Sequence, residues 1–72
     1  MSRKTRVVNH IRALRFANDE MTQAELAERI GMTRQTVIAI EAGRYSPSLE
    51  AAFKIAAVFD VPLDQVFEYP SE

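Results

Sequence analysis

Residues 22–43, TQAELAERIGMTRQTVIAIEAG, have the pattern of two short helices joined at a glycine, and the rest of the chain is interpreted as support for them. Thr22 and Glu25 have the spacing of a capping box, which marks the start of the first helix. Gly31 suits the left-handed conformation in which many helices end. Thr33 follows two residues later and can cap a second helix. The pattern therefore predicts two helices that meet at a sharp bend.

Both helices carry an apolar stripe with the 3.6-residue period of an α-helix. In the first helix the stripe consists of Leu26, Ala27 and Ile30, and in the second Val37 and Ile40 can face the same core. Charged and polar residues take the outer sides. One face of each helix is therefore expected to be buried.

The outer side of the second helix has the residue types that read DNA bases. A tight pair of helices with Arg and Gln in the first turn of the second matches the helix-turn-helix, whose second helix enters the major groove. Arg can bind guanine and Gln adenine through two hydrogen bonds each, and small apolar side chains can pack on a thymine methyl group. We therefore predict base contacts by Arg34, Gln35, Ile38 and Ala39. The alternative is a plain helical hairpin whose Arg and Gln are solvated.

The chain resembles a known family over most of its length. Residues 22–67, TQAELAERIGMTRQTVIAIEAGRYSPSLEAAFKIAAVFDVPLDQVF, together with IRALR at 11–15, resemble the phage repressor and Cro type of helix-turn-helix protein, the XRE family, in its compact stand-alone form. The similarity extends from residue 7 to about residue 69. It implies an all-α fold, a five-helix repressor-like bundle formed as one domain by residues 1–72.

Three further helices are predicted outside residues 22–43. Counted along the whole chain, the first helix runs from residue 9 to about residue 18 with Ile11 and Leu14 inside, and the fifth, a short one, begins at Pro62. The fourth follows a cap at Ser46 or Ser48 and ends near Phe59. The residues expected to complete the core are Leu49, Ala52, Ile55, Ala56 and Phe59 from the fourth helix, and Leu63, Val66 and Phe67 after it.

The two ends of the chain leave alternatives open. Residues 1–6, MSRKTR, are basic and without period, so we expect a mobile arm that either touches DNA phosphates or the minor groove, or is simply solvated. Residues 6–9 and 66–69 are rich in strand formers, and they can pair as a small two-stranded sheet.

Composition narrows the class of protein. A chain of 72 residues is sufficient for one domain, it has no cysteine, and it has no apolar run long enough to cross a bilayer, so a soluble cytoplasmic protein without membrane contact is expected. The net charge of −1 is unevenly divided: residues 1–44 carry +3 and residues 45–72 carry −4. The basic half contains the expected DNA-binding helices.

Catalytic and cofactor sites are not indicated. There is no paired histidine and no Gly-rich phosphate loop, and the lone His10 is expected at the surface. We therefore expect neither an enzyme nor a cofactor, metal or small-molecule ligand.

Two kinds of supporting contact are predicted. Gln23 at the start of the first motif helix is expected to bind a DNA phosphate, as the matching glutamine does in the family, or else to be solvated. The other expected phosphate contacts are Thr33, Thr36 and Arg44. Arg15 and Glu41 lie next to core positions and match a family ion pair, so we expect a partly buried pair; two separately solvated charges are the alternative.

The function predicted from these features is a sequence-specific transcriptional regulator, a repressor or autoregulator, that binds a palindromic DNA operator as a homodimer. The resemblance to repressor dimers places the dimer surface in residues 45–47 and 61–66. Its expected members are Tyr45, Pro47, Val61, Pro62, Leu63 and Val66. The alternative is a protein-interaction module or antitoxin-like partner in which DNA binding is secondary.

Overall fold

The computed structural model describes residues 5–44 and 46–71. In these residues there are four α-helices: α1 (Ile11–Ala17), α2 (Gln23–Ile30), α3 (Arg34–Glu41) and α4 (Leu49–Phe59). Strand β1 (Val8–Asn9) pairs antiparallel with β2 (Phe67–Glu68), with Val8 opposite Glu68 and Asn9 opposite Phe67. The predicted two-stranded pairing is therefore confirmed, over fewer residues than 6–9 and 66–69.

The predicted fifth helix is wrong. Leu63–Gln65 form a single 3-10 turn, and Pro62 precedes it with an extended backbone. A turn of three residues does not reach the length at which an α-helix closes several of its own hydrogen bonds. Strand β2 begins only two residues after the turn, which leaves no room for it to grow.

Each end of α2, α3 and α4 has a recognisable cap. Thr22, Thr33 and Ser48 accept a hydrogen bond from the backbone N–H three residues on, so Ser48 rather than Ser46 starts α4. Left-handed residues follow the helices at Gly31, Gly43 and Asp60. Both ends of each of these three short helices are therefore set by local capping residues.

The core lies where α2 packs against α3 and α4. Its buried members are Ile11, Met21, Leu26, Ala27, Ile30, Val37, Ile40, Ile55, Ala56, Phe59 and Val66. The prediction that Leu49 belongs to the core is wrong. This residue is 68% exposed in the first turn of α4 and is not part of the cluster. The ends of α1 also differ from the prediction, since the helix begins at Ile11 and not at residue 9.

None of these helices has both the length and the apolar character needed to cross a bilayer, as far as residues 5–44 and 46–71 show.

Candidate nucleic-acid interface

Helix α2 starts at a complete capping box. The Thr22 hydroxyl accepts a hydrogen bond from the Glu25 N–H at 3.0 Å, and the Glu25 carboxylate accepts one from the Thr22 N–H at 2.9 Å. The bond from the Thr22 backbone N–H favours the ionised carboxylate and lowers the pKa of Glu25. The box fixes the first turn of α2, where Gln23 stands.

Two residues separate α2 from the cap of α3. Gly31 has φ +72°, and Thr33 then accepts a hydrogen bond from the Thr36 N–H at 3.2 Å. This bend aims the first turn of α3 away from the core. Arg34 and Gln35 are exposed in that turn, and Ile38 and Ala39 are half-buried one turn later.

The two threonines of this turn keep one hydroxyl proton for a ligand. Thr33 Oγ1 and Thr36 Oγ1 lie 3.0 Å apart, so one hydroxyl donates to the other. Two hydroxyls carry two protons, and this bond uses one. The remaining O–H can donate to a phosphate oxygen.

Arg44 stands at the other end of α3. The Arg44 N–H donates to the Ala39 carbonyl at 3.0 Å, which together with the left-handed Gly43 closes the helix in a Schellman arrangement. The Arg44 side chain is exposed. Its charge is therefore available beside the C-terminal end of α3.

A buried ion pair ties α1 to α3. Arg15 Nε donates to Glu41 Oε2 at 2.7 Å and Arg15 Nη2 donates to Oε1 at 3.0 Å, with only 9% and 11% of the two side chains exposed. Arg15 Nη1 also donates to the Met21 carbonyl at 2.8 Å. Gln23 Nε2 donates to the same Glu41 carboxylate at 3.3 Å. Glu41 therefore connects α1, α2 and α3 at one point.

The structure places Gln23 beside this pair rather than free in solvent. Its amide nitrogen has two N–H groups, and the bond to Glu41 uses one of them. The other can still donate to a phosphate. The contact with Glu41 fixes the direction of the side chain.

Asn9 holds the C-terminal end of α3, a role that we did not predict from the sequence. Its Nδ2 donates to the carbonyls of Ile40 and Glu41 at 3.1 and 3.3 Å, while its Oδ1 accepts from the Ile11 N–H at 3.2 Å. Asn is a common helix cap, so the start of α1 gave a signal, but the partner 31 residues away did not.

The residues expected at a dimer surface fall into three groups. Val66 is fully buried in the core, so its predicted place on the dimer surface is wrong: no part of the side chain reaches the surface. Pro62 is exposed, and Pro47, Val61 and Leu63 are partly exposed. Tyr45 lies outside the described residues.

Comparison with known proteins decides the family. Residues 11–66 match the sequence pattern of the helix-turn-helix family. This chain belongs to that family. The match includes all four helices, and it confirms the family that residues 22–43 indicated.

Relatives are found in archaea and bacteria. An uncharacterised HTH-type transcriptional regulator of Methanocaldococcus jannaschii is 50% identical over 52 residues, which are 72% of this chain and 79% of the relative. The HTH-type regulator YgzD of Bacillus subtilis is 46% identical over 59 residues, or 82% and 88%. The phage transcriptional repressor RstR of Vibrio cholerae is 39% identical over 56 residues, or 78% and 50%.

Solved structures share the fold. The crystal structure of a candidate DNA-binding protein from Bacteroides fragilis has a TM-score of 0.74 at 26% identity, covering 86% of this chain and 98% of its own. A hypothetical transcription factor from Neisseria has a TM-score of 0.69 at 34% identity, covering 76% and 61%.

Proposed function

We propose that this helix-turn-helix protein is a sequence-specific transcriptional regulator, a repressor or autoregulator, that binds a palindromic operator in double-stranded DNA as a homodimer. The observation that carries the proposal is the exposed first turn of α3, where Arg34 and Gln35 project from a helix held to the core by Val37 and Ile40. The names of the relatives, which include transcriptional regulators and a phage repressor, support the same role.

Base reading is assigned to the outer face of α3. Arg34 can bind guanine O6 and N7, and Gln35 can bind adenine N6 and N7. Ile38 lies one turn after Arg34 on the same face, and with Ala39 it offers a half-exposed apolar surface to thymine methyl groups. These four residues would set the sequence preference.

Phosphate contacts are assigned to residues around the motif. Gln23 and the threonine pair Thr33 and Thr36 each retain a donor, and Arg44 adds a charge at the far end of α3. Such contacts fix the position of α3 in the groove without reading sequence.

The homodimer is assigned to an apolar surface that keeps Pro47, Pro62 and Leu63 of the predicted dimer residues and adds Leu49 and Phe67 to them. Pro47, Leu49 and Leu63 share one recess there with Val7 and Phe67, and Pro62 continues the surface. We refer to Pro47, Leu49, Pro62, Leu63 and Phe67 as the apolar end surface. Two-fold pairing through it would place two α3 helices on half-sites about 34 Å apart.

Selection of bound sequences from a random duplex pool tests the proposal. A palindromic consensus is expected, and Arg34→Ala should weaken binding to it by about 1–3 kcal/mol while relaxing the preference at one position of each half-site. Arg29→Ala, which removes another exposed charge, from α2, is the matched control. If Arg34→Ala weakened random and selected DNA by one common factor, Arg34 would contact phosphate and would not read a base.

A further inference from the structure

Helix α1 carries an exposed aromatic ring between two arginines. Phe16 is 53% exposed and lies outside the core. The guanidinium carbons of Arg12 and Arg15 lie 5.4 and 5.7 Å from the centre of its ring, within the range of cation–π attraction. The ring is thus a platform for charge and not a packing residue.

The two arginines differ in how far their charge is neutralised. Arg15 is buried against Glu41. Arg12 is exposed, and within residues 5–44 and 46–71 it has no carboxylate at ion-pair distance. Contact with a flat ring restricts the guanidinium group without reducing its charge. Arg12 is therefore a positioned cation that has no ion-pair partner in the part of the chain that the structure describes.

Arg12 lies near the first turn of α3, the helix that we propose reads the bases. Arg12 and Phe16 line the same open recess as Arg34, and Thr22 and Gln23 at the start of α2 form another part of its wall. Two carboxylates also line the recess. Glu41 is paired with Arg15, and Glu20 forms no ion pair among the described residues. The recess therefore offers two exposed arginines on the side from which α3 presents its first turn.

We propose that Arg12, held on the ring of Phe16, binds the phosphate backbone of the DNA duplex, so that α1 is a third helix of the interface. This inference rests on the proposed function, because Arg12 faces DNA only if Arg34 enters the groove. A planar guanidinium group can give a phosphate two parallel hydrogen bonds. Prior ordering by Phe16 reduces the rotamer freedom that is lost when the contact forms.

The test is the salt dependence of binding to a 30-base-pair random duplex, for the full chain and for Arg12→Gln. Loss of one phosphate contact should reduce the slope of log K against log salt concentration by ~0.9, which corresponds to roughly eightfold weaker binding at 0.1 M salt. Selected operator DNA should lose the same factor, since a phosphate contact does not read sequence. Arg12→Lys should keep most of the slope.

Two further variants separate a contact from a general charge effect. Arg29→Gln removes an exposed charge that lines a different recess, and it should leave the slope unchanged. Phe16→Leu keeps the apolar bulk but removes the ring, and it should weaken binding by a smaller factor than Arg12→Gln. Thermal melting establishes that each variant is folded.

Failure of the proposed function and failure of the Arg12 contact would give different results in these experiments. If the unaltered protein bound no duplex at low salt, the proposed function would fall and the inference with it. An Arg12→Gln slope equal to that of the unaltered protein, or equal to that of Arg29→Gln, would overturn the inference alone. An unchanged affinity for Phe16→Leu would refute the role of the ring.

Discussion

Arg15 has 7% of its surface exposed, and among the described residues it is the one charged residue in an otherwise apolar core. Removal of a charge from water is costly unless the protein returns its hydrogen bonds. Here the guanidinium group donates to both oxygens of Glu41 and to the Met21 carbonyl. Among the described residues no buried side-chain nitrogen or oxygen lacks a partner. The pair therefore fixes the relative position of α1 and α3.

Glu41→Ala should destabilise the protein by about 3–5 kcal/mol, because it leaves the Arg15 charge buried without a partner. For a domain of this size that corresponds to a fall in Tm of at least about 12 °C in a thermal melt. Glu28→Ala on the exposed side of α2 is the control and should change the free energy of unfolding by less than about 0.5 kcal/mol. An unchanged Tm for Glu41→Ala would show that the pair adds no stability.

At the scale of the element, the end of α3 is held from outside the helix. The last carbonyls of an α-helix have no partner within it, and here Asn9 of β1 donates to those of Ile40 and Glu41. Because the same side chain accepts from Ile11, Asn9 links β1, α1 and α3. The orientation of α3 thus depends on a residue of the two-residue strand β1.

Asn9→Ala should therefore destabilise the domain by about 1–3 kcal/mol, the cost of leaving half-buried polar groups without partners. Asn18→Ala is the matched control, since Asn18 also donates to a helix carbonyl, that of Leu14, but at an exposed position. Chemical denaturation gives both free energies. Equal effects of the two substitutions would show that Asn9 acts only as a local cap.

The capping box of α2 makes stability depend on pH. The folded pKa of Glu25 is below its ordinary value of 4.5, so its contribution is fully present above that pH and is lost as the pH falls through the folded pKa. In melts between pH 7 and pH 2, the Tm advantage of the unaltered protein over Glu25→Gln should accordingly disappear at the acidic end. Glu28→Gln shows the effect of removing a carboxylate outside the box. An advantage that persists at pH 2 would mean that the Glu25 charge is not what stabilises the cap.

Local chemistry explains how much of these elements the sequence could predict. Thr22, Gly31 and Thr33 act within a few residues of themselves, and the helices that they predict are confirmed. The prediction of a fifth helix failed because proline fits an extended segment before a turn as well as it fits the first position of a helix, and Pro62 is extended. The prediction that Leu49 is buried failed because it used only the spacing of Leu49 on α4, which matches the core stripe. Burial of the first turn of a helix depends on which elements pack beside it, and Leu49 is exposed. The Asn9 contacts with α3 depend on tertiary placement, which no local pattern encodes.

At the scale of the whole molecule, positive charge and most of the exposed apolar side chains belong to different halves of the chain. The basic half contains the exposed arginines of α1, α2 and α3, and the acidic residues 45–72 contain α4 and the turn after it. Three of the four exposed large hydrophobic residues in the described part of the chain, Leu49, Phe53 and Tyr69, belong to the acidic half, and Phe16 belongs to the basic half. A surface of this kind suits protein contact, because DNA would be repelled from it.

Leu49→Glu tests whether the apolar end surface joins two copies of the chain. A carboxylate in the first turn of α4 is favoured by the helix dipole, so the monomer should remain folded. In a dimer joined by this surface the charge would be buried at the interface, and loss of an interface anchor of this kind costs about 2 kcal/mol, which is a roughly 30-fold weaker dimer. Ala57→Glu, exposed at the other end of α4, is the control and should leave association unchanged. Sedimentation equilibrium measures both, and a dimer unaffected by Leu49→Glu would place the interface elsewhere.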